Sequence, residues 1–263
     1  MQIIELRDKE RIAEYLRRNL YLNIYQLGDL DDYYWPDTQW WALQEGTTIN
    51  ALVLLYTGLS VPTLLALVDQ DHMPCVELLS HLLPKLPEEL YVHYSEGLAE
   101  VLSQRYELRL YGDCLKMGLQ DSEPVLRYDT SAIGQLSEAD ERELLDFYKV
   151  ASPGNWFNRR MLATGRYYGI RRDGRLASVA GVHVVSGEYV VAALGNIATH
   201  PDWRGQGLAK QTTAKVCQML LSDGCRIGLN VMADNIAAVK CYSALGFKEA
   251  GRYYEAHASA IDR

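Results

Sequence analysis

Long apolar runs are missing from the 263-residue chain: the greasiest stretches, 51–56 and 64–68, are too short to cross a bilayer, which takes about 20 residues as a helix. No membrane partner is therefore expected. Cysteine is scarce. Cys75, Cys114, Cys217, Cys225 and Cys241 are odd in number and lack C-x-x-C spacing, which excludes a disulfide scaffold and points to a reducing compartment. All five read as small buried hydrophobes. The six histidines are scattered without the spacing of a ligand set, so no metal is expected. Positive charge is also short: 26 basic against 34 acidic side chains leave a net charge of -8. With no basic stripe to neutralise phosphates, nucleic acid is not an expected partner. At the start of the chain, Glu5 and Arg7 bring charge too early for the apolar core of a signal peptide. The expectation is a cytoplasmic protein; nothing in the sequence fixes an oligomeric state.

What is present suits a folded enzyme-sized chain. Hydrophobic residues make up 48% and charged ones 23%, enough to build a core, and the length allows one large domain or two of about 130 residues. A polar seam at 120–124 ends in Pro124, which biases Glu123 away from helix. It divides the chain into 1–122 and 123–263. The two halves repeat an order of elements: strand 64–68 and helix 75–83 mirror strand 189–199 and helix 205–221. Strand 90–92, helix 97–105 and strand 106–117 mirror strand 226–231, helix 235–245 and strand 247–257. Alternation of this kind gives an α/β fold, two tandem mixed-sheet domains with flanking helices.

Local signals agree. Leu208, Thr212, Val216 and Leu220 form an i, i+4 stripe that Asp223 and Gly224 terminate. Asp234 or Asn235 can cap the following helix, whose Val239, Tyr242 and Leu245 share a face, and Gly246 supplies its C-terminal left-handed residue. Segment 137–150 reads as a helix with Leu144, Leu145 and Tyr148 inward. Strands 167–170 and 176–185 read as a hairpin turned at Arg172-Asp173-Gly174.

The chemistry concentrates in 196–210, a strand that ends at Pro201 and re-enters a helix through Gly205 and Gly207. The first turn of a helix carries unpaired N–H groups and partial positive charge. Two glycines let a phosphate approach those groups closely, and Arg204 and Lys210 add charge at the rim. A strand-to-helix turn lightened by glycine, with no ligand, would use the same residues.

Arg204, Gly207 and Ala209 fall on the R-x-x-G-x-[GA] signature, and Asn235, Ala238, Tyr242, Gly246 and Phe247 fall on N-x-x-A-x-x-x-Y-x-x-x-G-F. In these two blocks the chain resembles the GNAT superfamily of N-acetyltransferases, over about 125–258. The resemblance implies acetyl-CoA as co-substrate. Its pantetheine arm would pair with the backbone of Ile197, Ala198 and Thr199. Its pyrophosphate would take main-chain N–H groups from Gly205, Gln206, Gly207, Leu208, Ala209 and Lys210, with Arg204 beside them. Asn235 would hold the arm near the thioester unless it is only a cap. Tyr242 would be the acid that protonates the departing thiolate; the alternative for a tyrosine on that face is plain core. Where some relatives carry a basic glutamate this chain has Asn230, so His183, Glu188 and His200 are the nearest candidates and no base is assigned.

The first half would be a degenerate GNAT-like copy. Its junction, 67–75, has no glycine, and Asp69 and Asp71 would repel a pyrophosphate. It reads as non-catalytic. Tyr33, Tyr34, Trp35, Trp40 and Trp41 there, and Trp156 and Phe157 in the second half, are either packing residues or an acceptor pocket. The resemblance implies transfer of an acetyl group to an amine of a small molecule or peptide. Two alternatives stay open: a CoA sensor without turnover, and an enzyme similar to glycine N-acyltransferases with a longer acyl donor. Residues 1–125 hold 9 basic and 20 acidic side chains, and residues 126–263 hold 17 and 14. The basic half suits CoA, and the acidic half suits a cationic acceptor.

Overall fold

A computed structural model describes residues 1–155 and 157–261. The elements of the first part are β1 (Gln2–Glu5), α1 (Lys9–Leu16), α2 (Ile24–Gly28), β2 (Thr38–Glu45), β3 (Thr48–Tyr56), β4 (Thr63–Ala66), α3 (Met73–Leu82), β5 (Glu89–Tyr94), α4 (Ala99–Leu102) and β6 (Tyr106–Leu119). There follow α5 (Glu123–Leu126), β7 (Gly134–Leu136), α6 (Glu141–Ala151), α7 (Arg159–Leu162), β8 (Tyr167–Arg172), β9 (Arg175–Ser186), β10 (Val191–Thr199), α8 (Leu208–Ser222), β11 (Arg226–Met232), α9 (Ile236–Ala244) and β12 (Phe247–Ala260). None of the described helices is long and apolar enough to cross a membrane.

Contacts divide the chain into two compact units that are not consecutive blocks of sequence. The first comprises 1–116 with 231–234 and the chain from 250 onward; the second comprises 117–230 with 235–249. In the first unit the strand order is β1-β2-β3-β4-β5-β12-β6, so the last strand of the chain is inserted beside β5, antiparallel, with Tyr254 opposite Tyr94 and Ser259 opposite Glu89. In the second unit the order is β11-β10-β9-β8-β7. Each unit contains a parallel pair, β4 with β5 and β10 with β11, each flanked by an antiparallel neighbour. The mixed α/β architecture and its duplication are therefore both present.

Most expected elements form close to their expected places, with three differences. Leu145 is 43% exposed, whereas Leu144 and Tyr148 are buried, because α6 turns a narrower apolar face inward. The polar seam is not open chain: Glu123–Leu126 is a helical turn with Pro124 in its first positions, where the missing N–H costs nothing. The helix expected over 97–105 contracts to Ala99–Leu102. The hairpin turn at Asp173 and Gly174 has both residues at positive φ, 50° and 74°, as a tight two-residue turn requires. The Leu208, Thr212, Val216 and Leu220 stripe is fully buried. All five cysteines are unpaired; Cys241 is half-buried and the others are buried.

Gly246 ends α9 at φ 94°, and a Cβ there would stand 1.9 Å from the carbonyl oxygen of Asp121. The left-handed conformation alone costs a substituted residue about 1–2 kcal/mol, and the overlap with backbone adds to it. Gly246→Ala is expected to lower Tm by several degrees, at about 2–4 °C per kcal/mol for a domain of this size, measured by thermal melting.

In the first unit Lys116 is wholly buried and its Nζ has no hydrogen-bond partner among the described residues. It lies 4.4 Å from the centre of the Tyr25 ring and 4.8 Å from that of Tyr253, and burial lowers its pKa to about 7. In the unfolded chain a lysine titrates near 10.4, so between those values the unfolded state binds more protons and stability rises with pH. Lys116→Met is expected to raise Tm, most at or below pH 7 and progressively less toward pH 10, by melting across that range.

Candidate active site

Strand β10 leads the second unit into its candidate site. Val191–Leu194 pair in parallel with Arg226–Leu229 of β11, and there the pairing stops. β10 runs on to Thr199 paired with β9 alone, Ala198 opposite Val179 and Thr199 opposite Ser178. Between Gly195 and Ala198 the register shifts, leaving Asn196 and Ile197 in a bulge, with Asn196 at φ 54°. A bulge bends its strand and re-aims side chains, and here it coincides with the parting of β10 from β11. Past Leu194 the edge of β10 that faced β11 is thus without a strand in this ladder, and of its groups the Thr199 carbonyl is taken by Arg204. Asn230, one residue past the last paired position of β11, has a buried Oδ1 with no partner among the described residues. An acceptor in that state calls for an N–H donor.

After β10 comes a turn, Pro201–Trp203, then Gly205 and Gly207, both at φ 76° and both with nothing within 4 Å of a constructed Cβ. Gly207 is the N-cap of α8, and no side chain caps that helix. Gly205, Gln206 and Gly207 are exposed, Leu208 is buried, and Ala209 and Lys210 are half-buried. Open space, unused first-turn amides and the positive end of a 15-residue helix together make an anion cradle.

Arg204 takes a different role from the expected rim charge. Its Nε donates to the carbonyl of Thr199 at 3.1 Å and its Nη2 to that of Ala151 at 3.0 Å. The guanidinium therefore clamps the end of β10 to the end of α6 and shapes the loop from behind. Trp203 supports the same turn, with the Arg175 guanidinium 5.1 Å over its ring and His200 at 5.0 Å.

Asn235 is the N-cap of α9, its Oδ1 accepting from the Ala238 N–H at 3.1 Å. The cap reading is therefore realised, and only the side-chain NH2 is left to donate elsewhere. Tyr242 is buried and packs edge-on to Phe247 at 6.1 Å. Burial pushes its phenol well above the ordinary range, with Cys241 and Cys217 adding to the effect, so it stays protonated at every working pH.

The three base candidates separate cleanly. Glu188 is exposed in the turn between β9 and β10. His200 is spent on its own turn, its Nδ1 accepting from the Asp202 N–H at 3.3 Å. His183, half-buried on β9, reaches Asn196, with 3.2 Å between its Nε2 and Asn196 Oδ1. The Asn196 amide donates to the Tyr167 hydroxyl at 2.7 Å, and the Tyr148 hydroxyl donates to the Asn196 carbonyl at 2.7 Å. This network was not anticipated in the sequence, though the Gly195-Asn196 step inside a strand is a recognisable bulge signal. Phe157 packs between Tyr148 and Tyr167, at 5.5 and 5.8 Å, while Trp156 lies outside the described residues. In the first unit Trp40 is sealed in the core with its indole N–H on Thr38, and Trp41 packs against the core. Tyr33 is half-exposed against Tyr34, and Trp35 lies under Lys9. These serve packing.

The matching junction of the first unit is closed. Every residue of β4 pairs with β5, Thr63 to Ala66 against Tyr91 to Tyr94. Beyond it the Ser95 hydroxyl accepts from the Val68 N–H and donates to the Val68 carbonyl. Asp71 accepts the Met73 N–H at 3.0 Å at the start of α3, and Asp69 accepts from Asn19 at 2.9 Å. Carboxylates occupy the place of an anion.

Residues 133–247 match the model of the acetyltransferase (GNAT) family. A [ribosomal protein bS18]-alanine N-acetyltransferase of Escherichia coli K12 is 37% identical over 82 residues, 31% of this chain and 53% of the relative. The chain thus spans about half the length of the curated relatives it matches. A putative GNAT acetyltransferase from Novosphingobium aromaticivorans superposes with a TM-score of 0.60 at 22% identity, over 84% of this chain and 92% of that one. A tandem GNAT protein from the clavulanic acid biosynthesis pathway superposes with a TM-score of 0.56 at 16% identity, over 100% and 99%. Likeness at these identities carries the fold, two tandem GNAT-like domains.

Arg204→Ala is expected to loosen the loop rather than unfold the unit. Hydrogen bonds to a charged donor are worth about 1.5–3 kcal/mol, less at this exposed position. Amide exchange over 199–208 should quicken about tenfold, a 1.4 kcal/mol change, with a small change in Tm. Arg204→Lys, unable to span both carbonyls, should fall between.

Proposed function

We propose that this chain, whose residues 133–247 match the model of the acetyltransferase (GNAT) family, transfers an acetyl group from acetyl-CoA to an amine. The observation that carries this reading is the parting of β10 from β11 beside an uncapped, glycine-opened helix start. Ile197, Ala198 and Thr199 would hold the pantetheine arm by their free edge, and the amides from Gly205 to Lys210 would hold the pyrophosphate. The Asn230 carbonyl and the Asn235 NH2 are suited to the amides of the arm. When bound, acetyl-CoA supplies an activated acyl carbon and a thiolate leaving group.

Tyr242 serves the leaving group. A phenol kept protonated by burial donates a hydrogen bond to sulfur as negative charge develops there, and its proton follows. Arg204 is a positioning residue for the loop. The 123–263 segment carries the site, while the 1–122 segment, with its closed β4–β5 pair and acid-filled junction, is non-catalytic. Its acidic surface favours a cationic acceptor. The E. coli relative acts on an alanine of a ribosomal protein, which puts a peptide N-terminus among the acceptors to try first, alongside amino acids, polyamines and aminoglycosides.

Calorimetry and a thiol-release assay test the reading together. Wild type should bind CoA and release thiol from acetyl-CoA when an amine is present. Gly207→Glu puts a carboxylate at the cradle and should abolish CoA binding. Tyr242→Phe should keep CoA binding within about threefold while kcat falls about 10²-fold, the lower end of what acid catalysis contributes. Tight CoA binding with equal, negligible thiol release by wild type and Tyr242→Phe would instead mark a sensor. Faster turnover of longer acyl-CoAs would move the donor assignment.

A further inference from the structure

We propose that the first unit holds a binding site for the phosphate group of a small molecule, built on one face of α1 and the turn between β2 and β3, with Arg11 and Arg18 as its charged donors. It stands independently of the acetyltransfer reading, since every residue involved lies in the first unit.

Residues 1–125 are acidic in sum, yet five of their nine basic side chains, Arg7, Lys9, Arg11, Arg17 and Arg18, fall within 7–18. Positions 11, 14, 15 and 18 follow the i, i+3, i+4, i+7 spacing that puts side chains on one face of a helix. α1 carries the first three, and Arg18 follows in the short helical turn Arg17–Asn19. That face borders the tip of the β2–β3 hairpin, where Gly46 turns the chain at φ 58°. Between them lies a concavity of about 290 Å³, lined by Arg11, Glu14, Tyr15 and Arg18 from the helical side and by Thr47 and Thr48 from the hairpin. Its size is close to the lower end of the usual range for ligand pockets, about 300–1,000 Å³.

The two arginines are held in place without being neutralised. Nη2 of Arg11 donates to Oε1 of Gln44 at 2.7 Å and to the Thr47 carbonyl at 3.1 Å, and Nη1 of Arg18 donates to the Ile49 carbonyl at 3.0 Å. The Arg18 guanidinium also lies over the Tyr15 ring, 4.8 Å from its centre. All of these partners are uncharged. A guanidinium carries five N–H donors, so Nε and the other terminal nitrogen of each arginine stay uncommitted among the described residues. Several other basic side chains at the surface are ion-paired: Arg7 with Glu5, Lys9 with Asp32, Arg159 with Glu138, and Arg171 with Asp140 and Glu143. Neither Arg11 nor Arg18 is ion-paired among the described residues, although Glu14 lines the same concavity.

Like charges fixed on one concavity repel, and an anion between them removes that cost. The Thr47 and Ile49 carbonyls that anchor the arginines are two residues apart, about 7 Å at strand spacing, close enough for one tetrahedral anion to accept from both guanidiniums. The Thr47 and Thr48 hydroxyls make no hydrogen bond among the described residues and add donors at the opposite wall. A planar carboxylate is matched by a single guanidinium fork. Donors that converge from a helix face and from a hairpin tip suit a phosphate, whose oxygens point in more directions. Burial pushes the Tyr15 phenol up to about 12, so this wall brings no negative charge of its own. Because both guanidiniums are already anchored, little side-chain freedom is lost on binding. Glu14 opposes the anion, which makes its removal a test of the site's charge.

Arginine Nε–H signals in ¹H–¹⁵N spectra of the full chain, assigned through Arg11→Gln and Arg18→Gln, report the site directly. Inorganic phosphate is titrated in, with sodium chloride at matched ionic strength as control and sodium succinate as the carboxylate arm. The Arg11 and Arg18 signals should move together and saturate with phosphate, stay in place with chloride, and respond to succinate with at least about fivefold weaker affinity. Phosphate affinity should fall about tenfold or more in each glutamine variant, whose side-chain NH2 can still donate to the anchoring carbonyls. Glu14→Gln should raise it about two- to fivefold. Gly207→Glu, which alters the candidate cradle of the second unit, should leave the titration unchanged. Shifts that fail to saturate, or that chloride reproduces, overturn the site. Succinate binding as tightly as phosphate overturns the phosphate assignment. Should the arginine variants fail to fold, a phosphate affinity unchanged in Glu14→Gln overturns the site by itself.

Discussion

Two neighbouring parallel strands that begin paired and then separate are the constraint on which the second unit is organised. Val191–Leu194 and Arg226–Leu229 share a ladder; Ile197–Thr199 do not. Exposed backbone N–H and C=O groups at an interior position of a sheet carry a penalty unless something pairs with them. The fold sustains the opening by holding its cause rigidly. The Asn196 bulge is fixed by the Tyr148 hydroxyl on one side and Tyr167 on the other, and Arg204 ties Thr199 to Ala151. The proposed recognition of a ligand by added strand and the proposed anion capture at α8 both depend on this one separation.

The first unit shows what the same topology does when nothing needs to enter. Its parallel pair closes to the end, a serine hydroxyl completes the ladder, and an aspartate accepts the Met73 amide at the start of α3. Each of these satisfies internally a group that the second unit leaves for a ligand. The difference lies in a few side chains at one junction and not in the architecture.

Much of the second unit was legible because its elements are specified locally. The apolar stripe of α8, the Asp173-Gly174 turn and the Gly246 stop are short-range signals, and each is found where expected. Candidate site residues on the loop were legible by type but less so by role. Arg204 carries the charge that suggested a rim, yet its guanidinium is committed to two carbonyls of the backbone. That geometry depends on the end of α6, about fifty residues earlier, which no local pattern encodes. The His183–Asn196 contact was invisible for the same reason: it needs the register of two strands and a bulge in each. Likewise, the insertion of the last strand beside β5 is a long-range pairing that alternation of strand and helix leaves undetermined.

Proton transfer in the proposed reaction would fall to groups in unlike environments. Tyr242 is buried, which keeps its phenol protonated; in the proposed reaction this suits donation to the departing sulfur and leaves the acceptor's proton to another group. In that reaction the proton lost by the acceptor goes to a group other than this phenol. Glu188 lies away on a turn and His200 is committed to the Asp202 amide. His183 is half-buried, with its Nε2 3.2 Å from Asn196 Oδ1.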